Sequence, residues 1–137
     1  MTFVLPFWLT FGRTLLGSHG WQTLLYLFLV APALFIAMLT INILVWVRKD
    51  VRQKAEVSPV DAYLLLGLYV SVLLHGYFLI DGGDSEASLN SVMTVTLGEQ
   101  FLGISTLLSE ATFWLSFGLL ITCIVIFAQE LSSKKPY

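Results

Sequence analysis

The sequence predicts an all-α integral membrane protein: three transmembrane helices, a short N-terminal interfacial helix, and an amphipathic helix before the third span. Composition is the first reason. Of 137 residues, 57% are hydrophobic and 12% charged, against about 25% charged in a soluble domain. Size is the second. A domain this small still exposes roughly a third of its chain surface after folding, so a soluble core could not hide so much apolar surface. The mean hydropathy of +0.84 agrees. The third reason is the presence of three long apolar runs, each near the roughly 20 residues that a helix needs to cross a hydrocarbon core of about 30 Å.

Residues 3–16 are too short to cross and carry Arg13. On a helix, Thr10, Arg13, Thr14 and Gly17 make a polar stripe opposite Val4, Trp8, Phe11 and Leu15, the pattern of a helix lying along a membrane surface. Residues 23–47 hold no charge and form the first span. Pro32 should kink it, because proline removes a backbone donor and crowds the preceding turn. Trp21 and Trp46 bracket it as interfacial anchors. Residues 48–58 make a basic loop. The second span, 60–80, follows Ser58 as N-cap and Pro59 as first helical residue, where its missing donor costs nothing.

An acidic loop, 81–91, comes next, with Asp81, Asp84 and Glu86 expected in water. In 92–108, Met93, Leu97, Phe101, Ile104 and Leu108 share one helical face, and Glu99, Gly103, Thr106 and Glu110 the other. The alternative of four spans would bury Glu99 and Gln100 near mid-membrane, at roughly 2.5 to 3.5 kcal/mol for the acid. It would also need a tight turn at 109–111 without glycine or proline. Residues 111–128 form the third span, and 129–137 the tail.

Arg48, Lys49, Arg52 and Lys54 crowd one short loop, and basic loops stay on the cytoplasmic side. With three spans the tail, with Lys134 and Lys135, shares that side. The N-terminus and the acidic loop then lie outside, in a bacterial or organellar inner membrane. The start of the chain does not read as a signal peptide, since it lacks a basic region and a small-residue cleavage site. Cys123 has no partner cysteine, so no intramolecular disulfide can form. A net charge of −2 argues against nucleic acid, whose binding needs a basic face.

"HGYFLIDGGDSE", residues 75–86, is the stretch that raises a chemical question. His75 falls inside the second span near its outer end. It is the candidate cofactor-binding residue, with a quinone headgroup or proton relay involving Asp81 or Asp84 as the first option. A divalent metal and a haem shared with His19 are weaker options. The plainer reading is a histidine that hydrogen-bonds a neighbouring helix beside an ordinary glycine turn. On that reading no cofactor, metal or catalytic residue is expected. Asn42 reads as an interhelical hydrogen bond. Ala33 with Ala37, Gly67 with Ser71, and Ser116 with Gly118 are small residues that let helices approach closely.

No internal repeat or broken helix pair of the transporter kind is present, and no phosphate loop or nucleophile elbow appears. The expected function is therefore a non-enzymatic accessory subunit. It would pack against other integral membrane proteins and lipid and stabilise a larger respiratory, photosynthetic or transport complex. One alternative is a small redox, quinone-site or proton-relay subunit using His75. Another is a homo-oligomeric pore lined by Glu99 and Glu110.

Overall fold

The computed structural model describes residues 1–18, 20–48, 57–82 and 89–133. His19, Lys49, Arg52, Lys54, Asp84, Glu86, Lys134 and Lys135 fall outside them, so the expectations placed on those side chains do too. The described chain forms α1 (residues 4–15), α2 (Trp21–Val47), α3 (Pro59–Phe78), α4 (Val92–Leu97) and α5 (Leu102–Ser133), with a 3₁₀ turn at Glu99–Phe101 leading into α5. Three helices are long and apolar enough to cross a membrane: Trp21–Val47, Pro59–Phe78 and Glu99–Ser132. No fourth is found among the described residues.

In α2 a π turn at Tyr26–Val30 lies just ahead of Pro32. The buried residues of α2 are Tyr26, Ala31, Met38, Ile41 and Val45. From Ala31 onward they follow ordinary helical spacing, but the step from Tyr26 to Ala31 is one residue longer than a regular turn allows. A π turn inserts that residue. It keeps Tyr26 on the same face as the stripe below it.

Helix α3 begins as the sequence indicates, with the Ser58 hydroxyl accepting from the Asp61 amide and Pro59 in the first turn. Its buried positions include Asp61, Leu68 and His75, spaced seven apart, with Val72 and Leu79 between and beyond. The facing seam of α5 runs Ser105, Ser109, Thr112, Ser116, Cys123 and Phe127. Both follow the repeat of about 3.5 residues that keeps two helices in contact along their length. Serine and threonine on the α5 seam let the backbones approach closely, as in other membrane helix pairs.

Helix α5 also corrects an expectation. The amphipathic helix 92–108 is not one element, and the helix that carries the third span begins at Leu102, well before 111. Gly98, at φ 116°, ends α4, and α5 then runs 32 residues without interruption, about 48 Å. The physical reason is the absence of glycine and proline at 109–111, so nothing breaks the helix where it enters the third span. Glu99 and Glu110 are exposed.

The N-terminal helix packs differently from the expected interfacial helix with its polar stripe outward. Thr10 and Arg13 are buried, along with Leu5 and Leu9, whereas Phe7, Phe11 and Leu15 are exposed. Phe3 meets Phe35, Asn42 donates to the Thr2 hydroxyl at 2.6 Å, and Arg13 reaches the Leu79 carbonyl at the opposite end. Helix α1 therefore runs alongside α2, antiparallel to it. Thr10 and Arg13 turn inward, Arg13 because it finds its carboxylate and carbonyl acceptors in the bundle, while Thr14 and Gly17 of the same stripe stay exposed. Trp8 fixes the packing against α3. Its indole Nε1 donates to the Leu73 carbonyl at 3.0 Å, in a space that exists because residue 76 is glycine: a Cβ there would lie 2.4 Å from that nitrogen.

Candidate functional site

The polar side chains that sequence reading scattered along the chain gather at three levels of the bundle. At the Trp21 end, helix α2 starts with no side-chain cap of its own, since Gly20 occupies the capping position. Asp81 supplies the cap from across the molecule. Its carboxylate accepts from the backbone amides of Gln22 (2.9 Å) and Thr23 (2.7 Å) and from the Thr23 hydroxyl. The Trp21 amide donates to the Gly82 carbonyl. Free amides at a helix start need such acceptors, and the positive end of the helix dipole favours an anion there. Gly20 is required because a Cβ would stand 2.3 Å from the Gly82 carbonyl oxygen. Asp81 is thus buried, at 1% exposure, and does not lie in water as the acidic loop implied.

Arg13 is the counter-charge. It is fully buried, donates to the Leu79 carbonyl (2.8 Å) and the Ser18 hydroxyl (3.1 Å), and lies 3.9 Å from the Asp81 carboxylate. Burial pushes the guanidinium below its ordinary pKa, and Asp81 pulls it back up. Asp81 also pairs through its backbone with Asn90, which ties the returning chain to the same cluster.

At the opposite end, Arg48 does more than mark orientation. It is buried, with Nη1 donating to Asp61 at 2.7 Å and Nη2 lying 2.6 Å from Glu130. The guanidinium stands 5.9 Å from the Phe127 ring centroid. The last residues of α2, the first turn of α3 and the last turns of α5 therefore meet at one cation. A guanidinium suits this role because its fork of donors can serve two carboxylates at once.

His75 lies between these clusters, 5% exposed. Its Nδ1 faces the Ser109 carbonyl at 3.1 Å and its Nε2 the Tyr26 hydroxyl at 2.7 Å. A carbonyl can only accept, so Nδ1 carries the proton, and Nε2 of the neutral ring accepts from Tyr26. Both ring nitrogens are engaged, one by α2 and one by α5. The Tyr26 and Phe113 rings pack beside the imidazole. Among the described residues no group of three His, Cys, Asp or Glu side chains could hold a metal.

Of the expected packing residues, Ser71 and Ser116 meet directly, with Ser116 donating to Ser71 at 3.0 Å. Gly67 faces Leu119, Ala37 is half-buried, and Ala33 lines a cavity. Gly118 faces nothing within 4 Å. Asp81 was named by sequence reading only as a water-exposed acid and a candidate relay partner for His75, and Asp61, Tyr26 and Ser109 were not singled out. The seam spacing of Ser105, Ser109, Thr112 and Ser116 was the available signal for the last. The pairings of Asp81 and Tyr26 join residues too distant in sequence to leave a local pattern.

No protein-family model matches the chain, and no curated protein or solved structure is significantly similar to it.

Proposed function

We propose that this chain is a non-catalytic membrane subunit that packs against a larger integral membrane assembly and stabilises it. One observation supports the reading above the others: among the described residues, the buried side chains most able to do chemistry join helices. His75 joins α3 to α2 and α5. Arg13 and Asp81 fasten α1, the start of α2 and the end of α3. Arg48, Asp61 and Glu130 fasten the other end.

Surface composition agrees. Only 28%, 33% and 17% of the apolar windows of the three spans are buried, which leaves wide faces for lipid and partner helices. In this reading α1 is embedded beside α2, α4 lies at the membrane surface, and the Arg48 end faces the cytoplasm of a bacterium or its organellar equivalent. The host complex is respiratory, photosynthetic or transport-related.

Extraction in mild detergent followed by native electrophoresis tests this. The proposal expects the chain to migrate with a large assembly and to leave that assembly labile when deleted. A Soret band from the isolated chain would favour the redox alternative, and a ladder of homo-oligomers the pore. For a pore, Glu99 and Glu110 would have to line a channel between copies, since both face outward from the single bundle.

A further inference from the structure

Two cavities share Tyr26, His75 and Phe113 as a common wall. The first, of about 210 Å³, lies among the three spans and is lined almost wholly by apolar side chains, including Val30, Ala33, Leu68 and Leu120. The second, of about 300 Å³, opens toward the Trp21 end between the first turns of α2 and the third and fourth turns of α5, where Gln22, Ser109, Glu110 and Trp114 line it. On α5 the pair extends from Ser109 to Leu120, about 16 Å along the helix. That is close to half of a hydrocarbon core of about 30 Å. A mixed mouth that carries Gln22 and Glu110 beside aromatic and leucine side chains, and an almost wholly apolar interior, match the depth and polarity gradient of one leaflet.

We infer that this groove binds a membrane amphiphile with one hydrocarbon tail and an uncharged, hydrogen-bond-donating head. The tail follows from the inner cavity, which is smaller than the roughly 300 to 1,000 Å³ of pockets that hold drug-sized ring systems. The head follows from charge and donor balance. Among the described residues Glu110 is the only acidic or basic side chain of the Asp, Glu, Lys and Arg kind lining the mouth, and a carboxylate there repels an anionic head. The Tyr26 hydroxyl, whose hydrogen is directed at His75, leaves its oxygen lone pairs as an acceptor, as does the Glu110 carboxylate. A long-chain alcohol has the complementary hydroxyl. This goes beyond the subunit assignment and does not depend on it, since the groove belongs to the single chain.

The test uses the full chain in phosphatidylcholine nanodiscs and a long-chain alcohol with a diazirine on its tail, with adducts mapped by peptide mass spectrometry. The inference expects saturable adducts at Ala33, Leu34 or Leu120, displaced by excess unlabelled alcohol. The carboxylic acid of the same tail should label about tenfold less, and Glu110→Gln should narrow that gap to about threefold or below, because the carboxylate is the repelling charge. Ala33→Phe should abolish the saturable adducts at unchanged thermal stability. If that variant does not fold, Ala33→Leu serves as the smaller plug. Non-saturable adducts spread over outward-facing Phe28, Leu29 and Ile36, or equal labelling by alcohol and acid, would overturn it.

Discussion

Asp81 shows how one residue can hold several elements. It accepts from two amides and a hydroxyl at the start of α2, opposes Arg13, and lies in a protein interior where neither charge has water. Removing one partner of a buried pair leaves the other uncompensated, at about 3 to 5 kcal/mol, whereas replacing both with neutral groups is often harmless. Asp81→Ala should therefore lower unfolding stability by about that amount in a detergent titration. The double variant Arg13→Met, Asp81→Asn should recover most of the loss, since asparagine also caps helices well. Equal instability of the two would contradict the pairing. The His75–Tyr26 contact predicts a smaller effect. In a double-mutant cycle with His75→Gln and Tyr26→Phe, coupling of about 0.6 to 1.7 kcal/mol is expected, the range for hydrogen bonds between membrane helices. Strict additivity would remove the brace from the account.

The π turn of α2 makes a test at the scale of the element. Because the turn supplies the one residue separating Tyr26 from the stripe of Ala31, Met38, Ile41 and Val45, deleting outward-facing Phe28 should convert it to a regular helix with the same face inward. Stability should change by about 1 kcal/mol or below, typical of a tolerated surface change. Deleting Ile36 instead turns the remainder of the helix by about 100°, a single residue's share of 3.6 per turn, and should abolish folding. Similar behaviour of the two deletions would show that the register argument fails. The path of α1 can be checked separately. With Cys123 replaced by serine, cysteines at positions 2 and 42 should form a disulfide on mild oxidation, since Asn42 donates directly to Thr2. A helix lying flat at the Trp21 end would keep them apart.

For the molecule as a whole, apolar run length and capping residues were enough to reveal the three spans and the start of α3, because both are local signals. The inward turn of Arg13, the capping role of Asp81 and the three-helix meeting at Arg48 were not legible. Each depends on a partner far along the chain, and a buried arginine in an ion pair looks the same in sequence as a solvated one. His75 was noticed, but not the two helices that engage its nitrogens. The proposed orientation makes a further prediction: cysteines at Ser85 and Lys54 should be labelled from opposite faces of intact cells, because short basic loops are as a rule retained inside. Labelling from one face would refute it.

The central claim is that these polar contacts assemble helices and perform no reaction. It is tested most directly by turnover of the co-purified assembly carrying His75→Gln, measured across about pH 5.5 to 8, the range in which an unperturbed histidine titrates. The account predicts wild-type turnover and an unchanged pH profile, with at most a modest loss of assembled complex. Collapsed turnover, or a shifted pH profile with the subunit still bound, would contradict it.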